Sequence, residues 1–333
     1  MIDIPKVALT SASGGGAVWL ASLFFQTSDS SETELIKRIF LLGIFVIVPL
    51  GLSLVATTDR GRHSRLYSLA VVTQPIGAVA ACISFFLRPG LVAALLASTW
   101  LFVNTLIAFF GIWRFWRRGV YPAEEACVDV GLLYLPVGGI WFVMSRLGIQ
   151  PFGFGDTIVL LTAVHFHFAG FAAPILAGMA GRLLNAQERP PALFPLAGIS
   201  IIGGTPLVAA GITFSPALAL IGALVISIGL TLLAGLVIGS LLRKVEPTTG
   251  RILLGISSLS SFSAMVLACL YAYSIVAKTL IIDIPQMAMT HGLLNAFGFA
   301  TCGLIAWSII KPQTRVRTSV PGSLREPFRG NRV

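Results

Sequence analysis

Three histidines lie inside apolar stretches of this chain. Imidazole can hold a metal, carry a proton or bridge two helices, because each ring offers two distinct nitrogens. His165 and His167 stand two residues apart in LLTAVHFHFAGFAAPILAGMAGR, residues 160–182, and they are the only ionisable groups between Asp156 and Arg182. His291 lies in MTHGLLNAFGF, residues 289–299, with Asn295 four residues on. Apolar stretches of this length cross a bilayer, and an imidazole within one is a functional-site candidate, since taking an ionisable group out of water is costly.

Spacing limits what these rings can do. On a regular helix two residues subtend about 200°, so His165 and His167 face opposite sides and serve two different clefts. Counted from Asp156 at about 1.5 Å per residue, His165 lies about 13 Å deep, near the middle of a ~30 Å core. By the same count His291 is roughly 6–8 Å shallower, a gap that helix tilt can close. Asn295 shares the His291 face at i+4. His165, His167 and His291 are the candidate metal ligands; Asn295 and Asp283 are the candidate ligand-binding residues. Three readings remain open for them: a haem or transition-metal site, a proton- or substrate-handling site, and hydrogen bonds between helices worth about 0.6 kcal/mol each and up to ~1.7. No nucleotide loop, nucleophile elbow, metalloprotease helix or paired carboxylate accompanies them, so catalytic residues stay unassigned.

The elements that must position these rings are transmembrane helices. The 333 residues are 56% hydrophobic and 11% charged, against roughly 25% charged in a soluble domain. Apolar runs near twenty residues fall at about 7–26, 35–57, 66–87, 91–113, 130–148, 156–181, 192–212, 215–242, 251–277 and 287–310. Glycine and serine dilute the first, which suits an interfacial helix, so the expectation is an all-α polytopic bundle of nine or ten spans. The histidines belong to the sixth run and the last. Pro75, Pro136, Pro174 and Pro206 fall inside runs and predict kinks. The N-terminal stretch does not read as a signal peptide, because Asp3 sits beside Lys6 and TSASGGG interrupts the apolar run.

Charge tests the division into spans. Eighteen of the 23 Lys and Arg residues fall at one set of alternating ends, with Lys37, Arg38, Arg88, Arg146 and Lys278 at the other. Basic residues collect in cytoplasmic loops, so this alternation supports the span boundaries and places the C-terminus in the cytoplasm. The net charge of +10 is assigned to anionic head groups rather than to nucleic acid. Glu124, Glu125 and Asp129 are expected to pair with the arginines of WRFWRR, residues 113–118, at that face. His63, in the basic stretch TDRGRHSR, reads as a solvated loop residue. Cys82, Cys127, Cys269 and Cys302 form no CxxC pair and read as free thiols. Residues 314–333 read as a basic, disordered cytoplasmic tail after one helical domain over 1–313.

YLPVGGIW at 134–141, LTAVHFHFAGF at 161–171 and IDIPQMAMTHGLLNAFGF at 282–299 resemble the YndJ-like family of bacterial multi-pass membrane proteins, over about residues 120–310. The resemblance implies residence in the bacterial cytoplasmic membrane and no particular activity. If the family's motifs mark its site, they fall on His165, His167, His291 and Asn295. HFHF alone is similar to the two-histidine helix of the haem-copper oxidase catalytic subunit. That subunit needs six ligand histidines and this chain has three within spans, so one haem or one metal is the most it could serve. A looser likeness to NnrS-type haem and copper membrane proteins, through H-x-H before a glycine-rich half-helix, points the same way. Protein partners are left open.

Overall fold

The computed structural model describes residues 3–24, 31–56, 58–59, 62–187 and 191–310. The expected tail at 314–333 and the loop residues Arg60 and Arg189 lie outside the described residues. The first helix, α1, is Ile4–Ser22; Asp3 caps it by accepting the Lys6 backbone N–H at 3.2 Å. That bond holds the Asp3 carboxyl below the usual carboxylate range. The helices α2 Ser31–Leu54, α3 Arg65–Ser84, α4 Leu91–Arg118, α5 Ala123–Leu147, α6 Asp156–Leu184, α7 Phe194–Phe214, α8 Pro216–Leu241, α9 Thr248–Val276 and α10 Ile284–Ile310 are long and apolar enough to cross a membrane, nine among the described residues. The all-α polytopic expectation holds. A two-residue antiparallel pairing of Thr58–Asp59 with Arg62–His63 is the only strand pairing among the described residues.

The first apolar run folds as a 19-residue helix but falls short of the spanning helices in hydropathy, as its glycines and serines foretold. It lies along α2, where the Trp19 indole donates to the Arg38 carbonyl at 2.8 Å. The fifth run begins earlier than its apolar residues suggested. α5 starts at Ala123, which draws Glu124, Glu125 and Asp129 into the helix and buries all three.

Contacts between helix ends sort onto two sides of the bundle, as the charge alternation requires. At the arginine-rich end, Arg182 of α6 donates to the Leu54 carbonyl of α2, and Lys244 after α8 donates to Gln187 after α6. At the opposite end, Arg146 of α5 donates to the Ser84 and Leu87 carbonyls at the close of α3, and Phe152 meets Phe214.

Three helices widen into π-turns where they meet: α2 at Gly43–Ile47, α6 at Phe166–Ala172, and α10 at Ala288–Gly292 and Leu294–Thr301. Such turns recur at functional sites. In α2 and α6 a proline accounts for the carbonyl left over. The Val48 N–H bonds back five residues to Gly43, and the Ala173 N–H does the same to Phe168. The next residues, Pro49 and Pro174, have no N–H, so the carbonyls of Ile44 and Ala169 lose their donors. Side chains from neighbouring helices replace them. Gln74 of α3 donates to Ile44 at 2.7 Å, and Thr205 of α7 donates to Ala169 at 3.3 Å.

Candidate functional site

The structure brings His165 and His291 together. Their ring centres are 6.4 Å apart and their planes differ by 22°. His165 ends the regular α-helical first part of α6, just before its π-turn, and His291 lies within the first π-turn of α10. His165 is exposed on the flank of the bundle and His291 is half-buried.

The hydrogen bonds fix the tautomers. Nδ1 of His165 lies 2.8 Å from the Leu161 carbonyl, and Nδ1 of His291 lies 2.9 Å from the Ala264 carbonyl of α9. A carbonyl only accepts, so both rings carry their proton on Nδ1 and present Nε2 as a lone pair. Asn295 donates to Nε2 of His291 at 3.1 Å and also to the His291 carbonyl at 3.0 Å. Nε2 of His165 has no partner among the described residues.

His167 belongs to a different place. It is fully buried and faces α4, where the Trp100 indole N–H donates to its Nε2 at 2.9 Å while its Nδ1 donates to the Ala163 carbonyl at 2.7 Å. Phe40 of α2 packs edge-on at 5.0 Å. Gly138 of α5 makes room for it, since a Cβ there would lie 2.9 Å from Nδ1. The two histidines of HFHF thus face different helices, as their spacing required, and both ring nitrogens of His167 are occupied.

Asp283 caps α10. Its carboxylate accepts the Gln286 N–H at 2.8 Å, and the Gln286 side chain accepts the Asp283 N–H at 3.2 Å. His63 rests against Tyr67, with ring centres 5.5 Å apart. All four cysteines are free thiols. Among the described residues, no group of three or more His, Cys, Asp or Glu side chains is placed to hold a metal ion.

A second polar constellation was half visible in the sequence. At the arginine-rich end, Arg114 of α4 donates to Asp129 at 2.6 Å, to Glu125 at 2.5 Å and to the Val55 carbonyl at 3.0 Å. Arg118 also pairs with Asp129. Arg182 of α6 clasps Glu125 with two nitrogens, at 2.5 and 3.0 Å. Asn185 donates to Glu124 at 2.6 Å. The acids do meet the arginines of α4. Arg182 was not foreseen as their partner. The available signal was that it is the first charge after the long apolar run of α6, at the same end of the bundle.

Comparison with known proteins agrees with this architecture. A family model described as YndJ-like protein matches residues 38–299. The uncharacterized membrane protein YndJ of Bacillus subtilis (strain 168) is 28% identical over 291 residues, covering 87% of this chain and 52% of the relative. The chain therefore spans about half the length of that relative. No solved structure matches. The matched region takes in α3 to α9 whole, most of α2 and the histidine-bearing part of α10, and on that extent the chain belongs to the YndJ-like family.

Proposed function

We propose that this chain is a multi-pass protein of the bacterial cytoplasmic membrane, with its arginine-rich end in the cytoplasm, and that His165 and His291 form an intramembrane site for a transition-metal ion, bare or as haem iron. One observation carries the reading: both rings are anchored through Nδ1 to backbone carbonyls, 6.4 Å apart, which leaves Nε2 as the coordinating atom of each. Metal-binding histidines are oriented by such a bond from the other ring nitrogen. His165 and His291 would hold the ion through Nε2, the atom by which neutral imidazole ligates a metal. Asn295 donates to Nε2 of His291 at 3.1 Å, a bond that would be given up by a metal-holding ring. Two imidazoles suit haem iron, or a copper, zinc or nickel ion whose coordination water or another ligand completes.

An optical spectrum and elemental analysis of the protein purified from metal-replete cells test this reading. A Soret band or one metal per chain supports it. A colourless, metal-free protein that takes up no added metal overturns it. A second reading, proton or substrate handling by a carrier or an intramembrane enzyme, is favoured by the unpartnered Nε2 of the exposed His165 ring, a base open to the flank of the bundle.

A further inference from the structure

Below the imidazole pair, toward the arginine-rich end, the contact between α9 and α10 is unusually polar for a lipid-embedded bundle. Ser257 donates across to the Phe299 carbonyl at 2.8 Å, while Ser261 donates within α9 to the Ser258 carbonyl at 3.0 Å. Gly298 of α10 lies directly over Ser260, where a Cβ would collide with the hydroxyl. Ser257, Ser258 and Ser261 border a cavity also lined by Leu176 of α6, Leu233 of α8 and Trp307 of α10. It offers ≈ 20 Å³ to the centre of a water-sized sphere, against the roughly 10–15 Å³ that one water needs.

Two polar groups at this cavity lack protein partners. Trp307 is 1% exposed and Ser258 5%. The Trp307 indole N–H and the Ser258 hydroxyl make no hydrogen bond among the described residues, and neither atom is among those fully enclosed without a partner, so both remain open to a water-sized sphere. An empty cavity stays dry only when its lining is apolar. This lining supplies one indole donor and three hydroxyls, enough for the two to four bonds that hold a buried water. An acyl chain in the same place would leave the indole N–H and the Ser258 hydroxyl without a partner.

We propose that this cavity is a binding site for water, held by Trp307 and Ser258 between α6, α8, α9 and α10. Ser261, on its border, lies one turn along α9 from Ala264, whose carbonyl anchors His291. Polar groups thus continue from the imidazole pair into the arginine-rich half of the bundle. The site stands on its own lining and does not depend on what His165 and His291 bind.

The test is hydrogen exchange at indole nitrogen, followed by NMR of the full chain in lipid nanodiscs with 15N-labelled tryptophan. The six tryptophans give six indole signals. Trp307→Phe assigns one; should that variant not accumulate, replacing the other five in turn assigns it by elimination. Trp100, which donates to His167, is the dry internal control. The expected result is that the Trp307 signal vanishes in D2O at least about tenfold faster than that of Trp100, because a solvated donor exchanges without unfolding. Equal protection of the two indoles overturns the proposal. So does a high-resolution map with an acyl chain or no density between Trp307 and Ser258.

Discussion

The Trp100 indole N–H points at Nε2 of His167, 2.9 Å away, across the interface between α4 and α6. The bond takes up one ring nitrogen of His167 within the packed interior. His167 is spent on Trp100 and Ala163 in the packed interior, while His165 keeps one nitrogen open on the other face. His167→Ala leaves the indole unpaired and is expected to lower stability by about 1–3 kcal/mol. Chemical unfolding in detergent reads this directly. The same substitution is expected to leave any metal bound between His165 and His291 in place.

The network at the arginine-rich end ties α2, α4, α5 and α6 together through Glu125, which holds Arg114 and Arg182 at once. Removing one member of a buried pair strands the others in a medium that solvates them poorly. Glu125→Gln is therefore expected to destabilise by about 3–5 kcal/mol. Glu124→Gln, whose partner is the neutral Asn185, is expected to cost less. Thermal unfolding of the two variants side by side checks the order.

The wide turn of α2 makes a further prediction. Gln74→Leu removes the donor that replaces the missing N–H of Pro49, so the buried Ile44 carbonyl is left alone. The expected loss is about 1–3 kcal/mol. Thr205→Val, which removes the longer 3.3 Å bond to Ala169, is expected to lose less, near the ~0.6 kcal/mol average for hydrogen bonds within membranes. If Gln74→Leu is neutral, the proline account of the π-turn fails.

Much of the fold was legible in the sequence because a bilayer leaves few choices. Every spanning segment must satisfy its own backbone, so apolar length and alternating charge marked out the nine helices long and apolar enough to span among the described residues. The opposed faces of His165 and His167 followed from helical periodicity alone. Three things were hidden. The meeting of His165 with His291 joins two helices far apart in sequence, and the π-turns near them, which Pro49 and Pro174 help to explain in α2 and α6, are announced by no hydropathy pattern. Arg182 as partner of Glu125 spans 57 residues of sequence, and nothing local links them. The capping box of Asp283 with Gln286 is written in DIPQ, but an acid at the mouth of the last span draws attention to its charge before its place at a helix start.

Orientation in the membrane is open to a direct check. Tyr121, between α4 and α5, and Phe152, between α5 and α6, are 78% and 70% exposed at opposite ends of the bundle. With the native cysteines replaced, Phe152→Cys is expected to react with a membrane-impermeant thiol reagent in intact cells, and Tyr121→Cys only after the cells are opened. The reverse pattern would place the arginine-rich end outside.

The measurement that bears most directly on the imidazole pair is metal stoichiometry in the unaltered chain and in His165→Ala, His291→Ala and His167→Ala, each purified folded from metal-replete cells. The account predicts about one ion or one haem per chain in the unaltered protein. It predicts loss of that ion in the first two variants and retention in the third. Equal metal content in all four proteins, or loss only with His167, would contradict it.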